Sequence, residues 1–71
     1  MEKRLLEILS YYLEGELSLY TNIKDYNINE LDITDIMMDI EDEFEVSIDY
    51  DEFNNLNTIK EILEYLQKLL A

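Results

Sequence analysis

Residues 29–44 read Asn-Glu-Leu-Asp-Ile-Thr-Asp-Ile-Met-Met-Asp-Ile-Glu-Asp-Glu-Phe, and this stretch decides the fold class. Its apolar residues recur at helical spacing, with Ile36 and Ile40 one turn apart at the centre. Asn29 suits the N-cap, and the acids that follow it suit the first turn of a helix. The pattern therefore predicts a helix from Glu30 to Phe44. The run Met37, Met38 and Ile40 is expected to be core rather than a ligand groove.

The flanking segments predict two more main helices and one short helix. An apolar stripe marks a first helix that is expected to end at Gly15, the only glycine; the stripe consists of Leu5, Ile8, Leu9, Tyr12 and Leu13. A capping box of Thr58 and Glu61 opens a last helix, whose stripe consists of Ile59, Ile62, Leu63, Leu66 and Leu70. Residues 50–53 fit one short helical turn, and residues 16–29 form a long first loop. We therefore predict an all-α, small helical bundle in a single domain, residues 1–71.

The charge of the chain is concentrated in its middle. The net charge is -13, from 18 acidic and 5 basic side chains. Twelve of the acids and none of the bases lie in residues 25–52. The charge argues against binding of nucleic acid and disfavours anionic membrane surfaces, because both need clustered Lys and Arg. A basic protein partner or a loosely held cation is compatible with this charge.

Composition also excludes most catalytic and targeting classes. The chain has no His and no Cys, so imidazole bases, thiol nucleophiles and thiolate metal sites are absent. A single Gly excludes a glycine-rich phosphate loop. No apolar run reaches the roughly 18 residues of a membrane helix, and the N-terminus lacks a signal-peptide cleavage site. We expect a monomeric, cytoplasmic protein that is not an enzyme and does not insert into membranes.

Residues 29–44 resemble the recognition helix of acyl carrier proteins, which opens with Asp-Ser-Leu and ends in an acidic run followed by Phe. The likeness continues through residues 45–49, where that family links to its short third helix, and residues 56–59, where its last helix begins. Upstream, the loop residues that match are Thr21, Ile23, Asp25 and Tyr26. The resemblance implies a carrier fold. It also implies a 4′-phosphopantetheine arm on the motif serine, acyl thioesters on that arm, and an acidic helix that docks on basic patches of synthases and transferases.

The motif departs from the family at its functional position. Asn29 stands in the aspartate position and Glu30 in the serine position. Attachment of the arm needs a hydroxyl oxygen that attacks phosphorus, and Glu30 has none. Ser18, Thr34 and Ser47 are not placed to replace it. We therefore expect no 4′-phosphopantetheine cofactor on this chain.

Three functions remain open at the level of sequence. The first is an acidic interaction module that docks on the basic surface of a synthase or transferase, with Glu30 either imitating the charge of the phosphate or serving only as a first-turn acid. Its candidate contacts are Leu31, Asp32, Asp35, Met38, Asp39, Glu41 and Asp42. The second is an ordinary carrier of fatty-acid, polyketide or peptide synthesis whose serine was altered, with the arm present only in a Ser-containing form. The third is an acidic protein that binds divalent cations along Asp35, Asp39 and Asp42.

Overall fold

The structure, a computed structural model, describes all residues from Met1 to Ala71. It contains four α-helices, and a 3₁₀ turn, Ile23–Asp25, interrupts the long first loop; the helices are α1 (Glu2–Ser10), α2 (Glu30–Phe44), α3 (Tyr50–Asn54) and α4 (Ile59–Leu70). No strand forms, and the only β-type pairing is an isolated bridge between Asn22 and Thr58. None of the helices has both the length and the apolar character needed to cross a membrane. The predicted all-α bundle is confirmed.

Side-chain caps set the starts of the two longest helices, as predicted. The backbone N–H of Asp32 donates to Oδ1 of Asn29 at 2.9 Å, which satisfies one of the free donors at the start of α2. Thr58 and Glu61 form the reciprocal capping box at the start of α4. The N–H groups of Thr58 and Asn57 both donate to the Glu61 carboxylate, and these bonds lower the pKa of Glu61.

The first helix is shorter than predicted. It ends at Ser10, and Gly15 lies five residues beyond it in the loop, with φ at +90°. The backbone N–H groups of Tyr12 and Leu13 both donate to the carbonyl oxygen of Leu9, at 3.0 and 2.9 Å. The bond from Tyr12 spans three residues, and bonds of this 3₁₀ type tighten the last turn of a helix. Leu13 is nevertheless buried, because the tight turn keeps it beside the helix that precedes it.

The core is one apolar cluster to which all four helices and the first loop contribute. It contains no polar side chain. Its members are Leu5, Ile8, Leu9, Leu13, Ile23, Ile33, Ile36, Ile40, Ile48, Phe53, Ile59, Ile62, Leu63 and Leu66. The prediction of a core position is wrong for two residues: Met38 is 53% exposed and Leu70 is 46% exposed. Met38 lies roughly 200° around the helix from both Ile36 and Ile40, and Leu70 is in the last turn of the chain.

The long loop is fastened to the start of α4, and this fastening places the start of α2. The N–H of Ile23 donates to the carbonyl of Asn57 at 2.8 Å, and the N–H of Ile59 donates to the carbonyl of Thr21 at 3.0 Å. The Ile23 side chain is buried in the core. Backbone bonds to a capped helix and a buried anchor hold the loop in one course, so residue 30 has a defined position in the fold.

Candidate docking face and the position of Glu30

Glu30 is the first residue of α2, and its side chain is exposed. The Asn29 side chain caps the helix immediately before it. The hydroxyl of Thr34, one turn further along, donates to the carbonyl oxygen of Glu30 at 2.9 Å. Thr34 is therefore bonded within its own helix rather than presented at the helix start. At this position the chain offers a carboxylate, which the positive end of the helix dipole favours, and not a nucleophilic hydroxyl.

A cavity of about 200 Å³ lies beside Glu30, between the end of the first loop, the start of α2 and α3. Its lining combines apolar, aromatic, amide and charged side chains: Lys24, Tyr26, Ile28, Asn29, Glu30, Ile33, Tyr50 and Asn54. Ile33 belongs to the buried core, so the floor of the cavity reaches the core cluster. Sequence reasoning missed this cavity, because its walls come from three separate segments.

Four of the predicted contact residues share one exposed face of α2. Leu31, Asp35, Met38 and Asp42 follow one another at intervals of four, three and four residues, which aligns them along the helix axis. We call this set the α2 stripe. Leu31 is 75% exposed and Met38 is 53% exposed, although both are large and apolar. The stripe therefore presents apolar and acidic side chains in alternation, which suits contact with a surface that is both basic and partly apolar.

Asp32 and Asp39 lie beside the stripe, on the side that faces α1. The Tyr12 hydroxyl donates a hydrogen bond to the Asp39 carboxylate. This bond, with partial burial and the charges of Asp39, Asp35 and Asp32, raises the pKa of Tyr12 to about 12. Asp39 is thus joined through Tyr12 to the turn that follows α1, and one of its acceptor oxygens is already occupied.

Glu41 is half-buried and is engaged inside the molecule. Its Oε2 accepts the backbone N–H of Ile48 at 2.7 Å, which holds the link that follows α2. Glu41 therefore belongs to the bonding of the fold and lies apart from the α2 stripe. Glu43 is engaged in a similar way, because the Arg4 guanidinium donates to it at 2.5 Å and lowers the pKa of its carboxyl. Tyr12 and Asp39 are 27 positions apart in the chain, and Arg4 and Glu43 are 39 positions apart. No local sequence pattern predicts either pairing.

The acidic middle of the chain does not form a metal cage. No three acidic side chains converge closely enough to hold a metal ion. The acids of α2 point outward along the helix or pair with Tyr12, Arg4 and the backbone. The geometry therefore gives no support to a dedicated divalent-cation site.

The protein is a small helical bundle whose exposed, acidic second helix begins with a capped first turn. The family model described as "Phosphopantetheine attachment site" matches residues 3–66. The acyl carrier protein of Exiguobacterium sibiricum is 31% identical over 55 residues, which are 76% of this chain and 70% of that protein. The acyl carrier protein of Amoebophilus asiaticus is 32% identical over 58 residues, 80% of this chain and 72% of that protein.

The fold comparison agrees with the sequence comparisons. The crystal structure of an acyl carrier protein from Thermotoga maritima superposes with a TM-score of 0.75. It covers 96% of this chain and 84% of that chain at 22% identity. The chain belongs to the phosphopantetheine-attachment family, which includes the acyl carrier proteins. The resemblance read from residues 29–44 is confirmed.

Proposed function

We propose that this chain is an acyl-carrier-protein-like docking module that does not carry 4′-phosphopantetheine. The observation that carries the proposal is Glu30, an exposed carboxylate at the first residue of α2, where the resemblance places the modified serine. Formation of the phosphodiester needs an oxygen that loses a proton and then displaces a leaving group at phosphorus. The Glu30 side chain has no hydroxyl, and the Thr34 hydroxyl is bonded to the backbone one turn away.

Glu30 also supplies a charge of the sign that the modified serine would carry. A phosphodiester and a carboxylate each bear one negative charge near neutral pH. Both are favoured at the positive end of a helix dipole. In this proposal a partner that recognises the phosphate at the start of α2 meets a comparable charge on Glu30, without the arm and its thiol.

The docking partner in this proposal is the basic surface of a synthase or transferase. The α2 stripe supplies Asp35 and Asp42 for charge pairing, and Leu31 and Met38 for apolar contact. Asp32 and Asp39 add negative potential beside it. Because Asp35, Asp39 and Asp42 are exposed, attraction at this face is screened by salt and acts mainly on the rate of association.

The loss of carrier chemistry is tested with a phosphopantetheinyl transferase and coenzyme A, read by intact mass. We expect no mass gain on the natural chain, and a gain of one arm on Glu30→Ser, because the serine hydroxyl restores the nucleophile. Glu30→Ala is the matched control, since it removes the same carboxylate without adding a hydroxyl. Modification of the natural chain would refute the proposal. Absence of modification on all three would refute recognition of this surface by the transferase, and with it the altered-carrier alternative.

The docking face is tested by charge reversal and salt. Asp35→Lys should weaken binding to a synthase by about fivefold to tenfold, the order expected when a surface attraction becomes a repulsion. Glu64→Lys on α4 makes the same change of charge on an exposed residue away from the stripe, and it should have a smaller effect. Added salt should weaken binding of the natural chain. Equal effects of the two reversals, or binding indifferent to salt, would remove the α2 stripe from the proposal.

A further inference from the structure

The short helix α3 depends on other parts of the chain for its stability. It has five residues, Tyr50–Asn54, and only Phe53 is buried. A helix of this length does not form alone, because one or two backbone bonds do not offset the cost of nucleation. Besides the Phe53 anchor, polar side chains from other elements contact both ends of α3.

The start of α3 is held by α4. The Tyr65 hydroxyl donates to Oε1 of Glu52 at 2.9 Å and lies 3.4 Å from the backbone nitrogen of Asp49, whose N–H it accepts. The end of α3 is held by the first loop, because the Lys24 ammonium donates to the backbone carbonyl of Asn54. The last carbonyls of a helix lack partners within the helix and carry the negative end of its dipole, so a cation is favoured there.

The contact between Lys24 and Asn54 lies at the wall of the cavity beside Glu30. Both residues line that cavity, together with Ile33 on its floor. We propose that Lys24 is a strap that holds the end of α3 against the first loop and thereby limits the width of the cavity next to residue 30. The Lys24 ammonium makes the one side-chain hydrogen bond from the first loop to α3. When the strap is released, the end of α3 separates from the loop first, because Tyr65 still holds its start.

The test is amide hydrogen exchange by NMR on Lys24→Met, which keeps the apolar stem and loses the donor. The reporters are the amides of Phe53, Asn55 and Leu56, which donate to the carbonyls of Asp49, Glu52 and Phe53. We expect exchange at these amides to become about fivefold to tenfold faster, the change that the loss of one net hydrogen bond produces in a local opening equilibrium. The amide of Ile33 in α2, which donates to the carbonyl of the N-cap Asn29, should keep its rate.

Two further variants make the result specific. Lys68→Met removes the same charge from an exposed lysine on α4 whose ammonium makes no hydrogen bond, so α3 should exchange as in the natural chain. Lys24→Arg keeps a charged donor and should preserve most of the protection. The proposal is overturned if Lys24→Met leaves the α3 amides unchanged. It is also overturned if Lys68→Met accelerates them equally, or if α2 and α3 accelerate together.

Discussion

Glu45 is the one residue other than glycine with a positive φ, and replacing it should stabilise the protein. Its backbone angles are φ 54° and ψ 51°, in the left-handed region, immediately after α2. The N–H of Glu45 donates to the carbonyl of Glu41, and the N–H of Val46 donates to the same oxygen at 3.3 Å, so a left-handed residue closes the helix. Glycine is the usual residue at this position. Glu45→Gly should therefore relieve the strain without changing the course of the chain.

Three effects determine how much Glu45→Gly changes the stability of the protein. The left-handed conformation costs an L residue about 1–2 kcal/mol. Glycine also makes the unfolded chain more flexible, which lowers the free energy of unfolding by about 0.4–1 kcal/mol. The net gain in stability from relieving the strain is therefore about 0.5–1 kcal/mol. Removing a negative charge from the negative end of a helix adds about 0.3–1 kcal/mol. Glu45→Ala receives only this last contribution, so the difference between the two variants isolates the backbone strain.

Thermal unfolding followed by circular dichroism measures this difference. For a domain of this size each kcal/mol shifts Tm by about 4–8 °C. Glu45→Gly should therefore melt about 2–8 °C above Glu45→Ala, and both should melt above the natural chain. If Glu45→Gly were no more stable than Glu45→Ala, the strain assigned to the left-handed angle would be absent and the reasoning would fail.

Two other predictions concern α2. Below pH 10 the Tyr12 hydroxyl stabilises the fold through its hydrogen bond to Asp39. The pKa of Tyr12 is about 12 in the folded protein and about 10 in the unfolded chain. The free energy of unfolding should therefore fall as the pH rises between these two values. Tyr12→Phe, compared by urea unfolding across this range, should lose that extra slope, and an identical slope would contradict the assigned bond. Ile36→Ala should cost about 2–5 kcal/mol, because Ile36 is fully buried. Met38→Ala, a control on the exposed face, should cost far less, and equal losses in urea unfolding would contradict the assignment of the two faces.

The predictions that succeeded from sequence rest on local rules. The start and the end of α2, the Asn29 cap and the Thr58–Glu61 capping box are each set by residues that lie within four positions of one another. Helical periodicity and capping act over this range, so the residues carry the information themselves. The predicted end of α1 was wrong, because Gly15 suits a helix end but the helix ends at Ser10, five residues earlier.

The candidate site divides in the same way. Spacing alone placed Leu31, Asp35 and Asp42 in one acidic and apolar segment, and the residue type alone shows that Glu30 lacks a hydroxyl. It did not reveal that Glu41 holds the backbone of Ile48. The engagement of other acids through Tyr12 and Arg4 was equally hidden. Contacts between residues far apart in the chain depend on how the helices pack, and no pattern within one segment encodes them.

The sequence by itself determined the family and the helical fold class, because these follow from residue types at local spacing. Only the tertiary structure decided which of the many carboxylates remain free. It joined Glu43 to α1 and Asp39 to the turn after α1, and it left Asp35 and Asp42 in solvent. It also brought Lys24 to the end of α3, 30 residues away. The physical reason is that the sequence does not distinguish a carboxylate that stays exposed from one that finds a partner. Only the packing of the helices determines which partner lies within hydrogen-bond distance.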